Sequence, residues 1–154
     1  MVEKMLGEVV IRTPNMQPVL AFYRDVIQLE PFKVQGAMQF FKIADGLNGQ
    51  AQALGLFELG EVSDVDDTPF DGHDTRKTPF HHFAFIIDLK DYQNEFNRIA
   101  ALGYQLRTME HGLAQSRSFY LYDPDGNTVE FVCYDPSIPP SETSTRSQTQ
   151  AEIA

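Results

Sequence analysis

The side chains best suited to metal chemistry are a glutamate within the last apolar segment and a histidine pair upstream of it. Glu130 lies in the run TVEFVCY, where burying an unpaired carboxylate would be costly. His81 and His82 lie at the start of FHHFAFIID. Neighbouring side chains of an extended strand point to opposite faces, so one of the two histidines must point away from a shared site. Carboxylate and neutral imidazole are ligands for Zn²⁺, Fe²⁺, Mn²⁺ and Ni²⁺.

A strand, a helix and three further strands are predicted for the first half of the chain. Residues 8–13, EVVIRT, predict a strand, and the following Pro14-Asn15 breaks it and offers Asn15 as a helix N-cap. Apolar residues then recur at helical spacing and predict one buried stripe, formed by Val19, Phe22, Tyr23, Val26 and Ile27. Three short apolar segments after Pro31 predict an antiparallel meander, namely FKVQ, AMQFFKIA and QALGLFEL.

The same order of elements returns after a polar segment. Residues 60–79 are acidic and rich in Pro, Gly and Asp, which indicates a linker. A strand in FHHFAFIID and a helix from about Asp91 to Leu102 follow. Three strands complete this half, YQLRTM, SRSFYLYD and NTVEFVCY, and the turn Asp123-Pro124-Asp125-Gly126 joins the last two.

A weak internal repeat relates the two halves. Shifting the first half by 74 positions puts Glu8 on His82, and the strand and helix of each half then coincide. Aligning the final strands by their preceding turns, which needs a gap, puts Gly55 opposite Glu130. The chain is therefore predicted to contain two copies of a βαβββ unit, with first-strand and last-strand positions that correspond.

The predicted fold class is α+β, in a single domain over residues 1–135. Module one covers about 6–59 and module two about 80–135. Residues 136–154 are rich in Ser, Thr, Pro and Gln with almost nothing to bury, so we expect a flexible C-terminal tail.

Composition restricts the class of partner. The 154 residues carry 22 acidic and 12 basic side chains, a formal net charge of −10, which should repel nucleic acid phosphates and anionic lipid. No apolar run approaches the roughly 18 residues that span a bilayer, and no signal peptide is evident, so we expect a cytoplasmic protein. The single cysteine, Cys133, lies in an apolar run and is predicted to be buried. A small molecule is the expected partner.

Three segments carry a resemblance to a known family. PNM followed by AFYRDVIQLE, then HHFAFIID, and finally SRSFYLYDPDGNTVEFV are similar to segments of the vicinal oxygen chelate superfamily, over roughly residues 6–135. Its members include glyoxalase I, extradiol dioxygenases, methylmalonyl-CoA epimerase, and the fosfomycin and bleomycin resistance proteins. The resemblance implies two modules that form an open, cup-shaped mixed β-sheet with helices packed on the outer face.

The resemblance also implies a metal-ligand set. Carried over by position, the ligands are Glu8, His82 and Glu130, and Gly55 occupies the fourth position, where some members have Glu or Gln. The implied cofactor is a divalent metal ion, Zn, Ni, Mn or Fe. Two alternatives stay open. Glu8 could be an ordinary solvent-exposed residue on a strand face, and either His81 or His82 could be a structural histidine.

Catalytic roles follow from the same resemblance. By position and residue type, we hypothesise that Glu8 or Glu130 also acts as a general base after loosening from the metal. Tyr120 lies ten residues before Glu130, the spacing at which extradiol dioxygenases carry an active-site tyrosine, and ordinary strand packing is the alternative. His111-Gly112 resembles a loop of the same group, and an exposed loop histidine is the alternative there.

Two functions are compatible with these residues. The first is a small metal-dependent enzyme whose substrate chelates the metal through adjacent oxygens, either a glyoxalase I-like lyase or isomerase or a dioxygenase-like protein. The alternative is a metal-free small-molecule or drug-binding protein of the bleomycin-resistance type. The resemblance further implies a homodimer, and we expect neither nucleic acid nor membrane as a partner.

Overall fold

The computed structural model describes residues 4–59 and 80–141, which fall into two compact units. The first unit is Met1–Phe83 with Tyr122–Val129, and the second is Ala84–Leu121 with Glu130–Ala154. The predicted linker at 60–79 and residues 142–154 of the predicted tail lie outside the described residues.

Each half of the chain forms a four-stranded sheet with its own helix. The elements in chain order are β1 (Glu8–Thr13), α1 (Met16–Ala21) with a π-helical turn (Phe22–Val26), β2 (Glu30–Gln35), β3 (Met38–Asp45), a short 3-10 turn (Leu47–Gly49), β4 (Ala51–Glu58), β5 (Phe83–Ile86), α2 (Leu89–Ala101), β6 (Arg107–His111), β7 (Ser116–Tyr122) and β8 (Thr128–Tyr134). The strand orders are β1-β4-β3-β2 and β5-β8-β7-β6, with β1 parallel to β4. The predicted α+β fold with two βαβββ modules is confirmed.

The helical stripe predicted for the first half forms the core of the first unit. All five of its members are at most 8% exposed, namely Val19, Phe22, Tyr23, Val26 and Ile27. The Tyr23 ring lies 6.3 Å from that of Phe41 on β3, between ring centroids. The helix therefore covers one face of the first sheet, and alternating residues of β1 behave accordingly, since Ile11 and Thr13 are buried whereas Glu8 and Arg12 are exposed.

A buried aspartate organises the turn between β7 and β8. Asp123 is 4% exposed, and its Oδ1 accepts hydrogen bonds from the backbone amides of Asp125, over 3.0 Å, and Asn127, over 2.8 Å. Its Oδ2 accepts from Asn127 Nδ2 over 2.8 Å and from Tyr23 Oη over 2.9 Å. Gly126, with φ of +85°, closes this turn. One carboxylate therefore fixes both the predicted turn and the helix residue Tyr23.

Asn15 lies at the predicted N-cap position, but its side chain does not make the predicted capping hydrogen bond. Asn15 precedes α1, but its side chain makes no capping hydrogen bond to the helix. Its amide instead donates to Asp125 Oδ1 over 2.7 Å. The side chain therefore ties the start of α1 to the β7–β8 turn within the first unit.

Aromatic rings dominate the core of the second unit. Phe119 is fully buried, stacked on Phe131 at 4.8 Å between ring centroids, and it meets Tyr92 and Phe96 of α2 edge-on at 5.4 and 5.6 Å. Cys133 is 1% exposed, as predicted. Within the described residues, neither α1 nor α2 is long and apolar enough to cross a membrane.

The residues that follow β8 are packed on the second unit. Ile138 is 4% exposed, and Gln115 Nε2 donates to its carbonyl oxygen over 3.2 Å. A Cβ on Gly112 would lie 2.8 Å from the backbone nitrogen of Ser141, so the segment runs directly against the β6–β7 loop. Residues 136–141, placed in the flexible tail by composition, thus form part of the fold, because one apolar side chain anchors them.

Replacing Asp135 with asparagine is expected to destabilise the protein at neutral pH but not in acid. Asp135 accepts hydrogen bonds from the Ser137 amide over 2.9 Å and its hydroxyl over 2.6 Å, and it pairs with Arg117 Nη2. The Ser137 hydrogen bonds, followed by Arg117, lower the pKa of Asp135. Because the pKa of Asp135 is lower in the folded protein than in the unfolded chain, ionised Asp135 stabilises the fold at pH values above its unfolded pKa of about 3.9. This stabilisation is lost as the pH falls through the pKa of the folded state. The measurement is the urea midpoint of the wild type and of Asp135→Asn, at pH 7 and in acid. An equal difference between the two midpoints at both pH values would contradict the prediction.

Candidate functional site

Glu130 is the buried end of a hydrogen-bonded chain on the second sheet. Glu130 lies in β8 and is 5% exposed. Tyr120 Oη, from β7, donates to Glu130 Oε1 over 2.8 Å. His111, the last residue of β6, has its Nε2 3.0 Å from Tyr120 Oη and 3.9 Å from Glu130 Oε1, and its side chain is 33% exposed. The chain therefore leads from a partly solvated imidazole to a buried carboxylate.

Valence fixes the direction of the protons in this chain. The single hydroxyl proton of Tyr120 is given to Glu130, so the tyrosine oxygen can only accept from His111. His111 Nε2 therefore carries a proton in this arrangement. His111 thus donates to Tyr120, and Tyr120 in turn donates to Glu130.

Tyr120 is held as a hydroxyl donor. Burial, and next the hydrogen bond to Glu130, raise the pKa of Tyr120 above its ordinary value near 10. A raised phenol pKa keeps the proton on Tyr120 at neutral pH, so this residue can orient Glu130 and pass a proton but does not become a phenolate there.

The structure brings together three residues that the sequence treated separately. Tyr120 is buried, as ordinary strand packing predicts, and its hydroxyl also donates to Glu130. His111, for which an exposed loop position was the alternative, ends β6 and contacts Tyr120. The signal that sequence reasoning lacked is the β6–β7 register, which pairs Arg107 with Tyr120 and His111 with Ser116. Strand alternation then puts Arg107 and His111 on one face with Tyr120.

The first-strand position of module one, Glu8, lies on the exposed face of β1. Val10 and Arg12 share that face by alternation, and β1 aligns with β4 so that Val10 is opposite Gly55. A Cβ on Gly55 would lie 3.1 Å from the Phe40 ring and 3.1 Å from Val10 Cγ2. Gly55 is therefore covered by the Phe40 ring and by Val10, and a longer side chain there would displace them.

The histidine pair is arranged differently from the sequence expectation. His81 and His82 precede β5 and contact each other, with their Nδ1 atoms 2.6 Å apart and their rings edge-on at 4.9 Å between centroids. The expectation that they point to opposite faces was wrong, because the strand begins only at Phe83 and the chain before it is not part of the pleated sheet. At this separation one Nδ1 donates and the other accepts, which leaves each Nε2 outside this hydrogen bond.

The donor types proposed for the metal are chemically suitable. Two carboxylates and one neutral imidazole would neutralise a divalent cation. Within residues 4–59 and 80–141, however, no three His, Cys, Asp or Glu side chains are grouped so as to hold a metal ion.

Comparison with known proteins gives one family. The model of the Glyoxalase/Bleomycin resistance protein/Dioxygenase superfamily matches residues 5–131. No match is found among curated proteins.

Solved structures of that family resemble this chain. A lactoylglutathione lyase from Agrobacterium tumefaciens is 30% identical, with a TM-score of 0.62, over 85% of this chain and 94% of the other. A glyoxalase/dioxygenase from Nostoc punctiforme is 24% identical, with a TM-score of 0.60, over 86% and 92%. A genomically encoded fosfomycin resistance protein from Listeria monocytogenes is 18% identical, with a TM-score of 0.56, over 86% and 94%. The last two support the fold alone.

Proposed function

Since the chain belongs to the glyoxalase/bleomycin resistance protein/dioxygenase superfamily, we propose that it is a metal-dependent enzyme whose small-molecule substrate chelates the metal through two adjacent oxygens. The observation that carries this proposal is the chain of hydrogen bonds from His111 through Tyr120 to Glu130. Two side chains that carry protons connect this buried carboxylate to solvent. A purely structural role for Glu130 would not require such a connection.

The three hydrogen-bonded residues, Glu130, Tyr120 and His111, are suited to proton transfer. Glu130 is an oriented carboxylate that can accept a proton from a substrate carbon or hydroxyl group beside it. Tyr120 fixes the position of that carboxylate through its own hydroxyl proton. The partly exposed His111 can exchange protons with water, and this exchange can restore the initial protonation states of the three residues.

Glu8, His82 and Glu130 are the residues that we propose hold the metal. When bound, a divalent ion would supply Lewis-acid polarisation of the substrate's adjacent oxygens. The Phe40 ring over Gly55 supports a set of three protein ligands instead of four. Three protein ligands leave coordination positions for a bidentate substrate.

Two reaction classes compete within this proposal. Identity of 30% to a lactoylglutathione lyase supports a lyase or isomerase. The contacts of Tyr120 and His111 with Glu130 support a dioxygenase-like enzyme, because both residues stand at positions that resemble that group. Isomerisation of the methylglyoxal–glutathione adduct and oxygen uptake with catechol are the assays that separate them.

Replacing His82 with alanine is expected to abolish metal binding, whereas replacing His81 is expected only to weaken it. Losing one of three ligands removes a coordinate bond, whereas losing a side chain that contacts a ligand costs about 10–100-fold in affinity. Metal content of both variants after equilibration with excess Zn²⁺ and gel filtration measures this. Retention by both variants, or loss only in His81→Ala, would contradict the assignment.

A metal-free binding protein of the bleomycin-resistance type is the second candidate. The observation that favours it is that the described residues group no three metal-binding side chains. In that case Glu130 and the acidic surface, with the net charge of −10, would attract a cationic ligand. We further propose a homodimer in the cytoplasm, and light scattering that finds a monomer would remove the first of these expectations.

A further inference from the structure

Residues 135–141, which follow β8 and which we call the C-terminal clamp, hold the β6–β7 loop at the end that leads into β7. The backbone amide of Asp135 donates to the carbonyl oxygen of Gln115 over 2.7 Å. Gln115 Nε2 donates in return to the carbonyl oxygen of Ile138 over 3.2 Å. Gln115 has a φ of +45°, and a residue other than glycine keeps such a backbone conformation only where its surroundings hold it. The clamp supplies two of the contacts that hold it.

The other end of the loop, Gly112, is packed against the same segment. A Cβ on Gly112 would lie 2.8 Å from the backbone nitrogen of Ser141 and 3.0 Å from the carbonyl oxygen of Pro139. Gly112 does not have a positive φ, so the close approach of the clamp, and not the backbone conformation, requires glycine here. Gly112 directly follows His111, so the clamp lies against the end of β6 that carries the imidazole.

This end of β6 has limited support from the rest of the second sheet. β6 is the outer strand and pairs with β7 alone, and all of its residues except His111 are exposed. Leu113, in the loop, is 75% exposed. Strand ends with few buried contacts open readily. The clamp itself is anchored, because Ile138 is 4% exposed and Asp135, also 4% exposed, pairs with Arg117.

We propose that the C-terminal clamp positions His111 against Tyr120, with Gly112 and Ile138 as positioning residues. The hydrogen bond from Tyr120 to Glu130 joins β7 and β8, the two inner strands of the sheet. Loosening the clamp should therefore break the contact of His111 with Tyr120 and leave the contact of Tyr120 with Glu130 in place. The consequence for turnover rests on the proposed function, in which His111 exchanges protons with water, whereas the positioning itself does not.

The test is the ¹⁵N chemical shift of His111 Nε2 in the full-length protein without substrate, at about pH 8, where an ordinary histidine is neutral. The signal is assigned by its absence in His111→Gln, and Tyr120→Phe, which lacks the acceptor oxygen, gives the shift of the released ring. We expect Gly112→Ala and Ile138→Asp to move the shift most of the way to that of Tyr120→Phe. Gly7→Ala, where a Cβ meets nothing within 4 Å, and the conservative Ile138→Val should keep the wild-type shift.

The outcomes separate this inference from the proposed function. A wild-type shift in both Gly112→Ala and Ile138→Asp, each shown to be folded by circular dichroism, overturns the clamp while the proposed function stands. If Ile138→Asp does not fold, Gly112→Ala decides alone. An equal change in Gly7→Ala, or a wild-type shift no different from that of Tyr120→Phe, also overturns the clamp. A changed shift with wild-type turnover in Gly112→Ala supports the clamp and removes His111 from the proposed chemistry.

Discussion

Replacing Glu130 with glutamine is expected to lower kcat/KM by about 10²–10⁴-fold, the range that a general acid or base contributes. Glutamine keeps the size of the side chain and an oxygen that can accept from Tyr120, so the fold should be retained. It removes the carboxylate that accepts the Tyr120 hydroxyl, and with it the capacity of this side chain to take up a proton. The measurement is turnover in whichever of the two assays, adduct isomerisation or oxygen uptake, the wild type supports.

The neighbouring tyrosines provide a graded control on the same strand. Tyr120→Phe removes the hydroxyl that orients Glu130 and is expected to cost about 10–100-fold, as loss of an orienting partner does. Tyr122→Phe changes a side chain that is 63% exposed and should leave turnover unchanged. A Glu130→Gln variant as active as Tyr122→Phe would remove Glu130 from the chemistry.

Replacing Asp123 with alanine is expected to lower the free energy of unfolding by about 3 kcal/mol, because it leaves several buried donors without an acceptor. The carboxylate accepts four hydrogen bonds, and the Tyr23 hydroxyl among its donors belongs to a fully buried residue. Among the described residues, that hydroxyl donates to Asp123 alone. Urea unfolding followed by circular dichroism measures the change.

Tyr23→Phe is the matched variant for this cluster. It removes the donor together with its need for a partner, so it should cost only about 1 kcal/mol. If Asp123→Ala were no more destabilising than Tyr23→Phe, the cluster would not hold the helix and the turn together as the geometry indicates.

Local patterns predicted most of the fold. The helical stripe of the first half, the turn before β8 and the burial of Cys133 follow from apolar spacing and turn residues, and each of these agrees with the structure. The strand predicted at YQLRTM is displaced, since β6 is Arg107–His111. Strand ends depend on pairing with a neighbour, which a single segment does not encode.

Contacts between distant segments account for what the sequence missed. Asn15 was expected to cap its own helix, but its partner is Asp125, 110 residues away. His111 gains its significance only from the register of β6 with β7. The histidine pair departs from strand alternation because β5 begins one residue later. In each case a residue type was readable from the sequence, whereas its partner was not.

Metal content of the wild-type protein tests the central claim most directly. Protein purified without chelator, and a second sample equilibrated with Zn²⁺, Mn²⁺, Fe²⁺ or Ni²⁺ and then desalted, would be analysed by elemental mass spectrometry. The proposal predicts one divalent ion per chain in at least one of these samples, and its loss in Glu130→Ala. A chain that holds no metal in any of them would contradict the metal-dependent enzyme and leave the binding protein as the function.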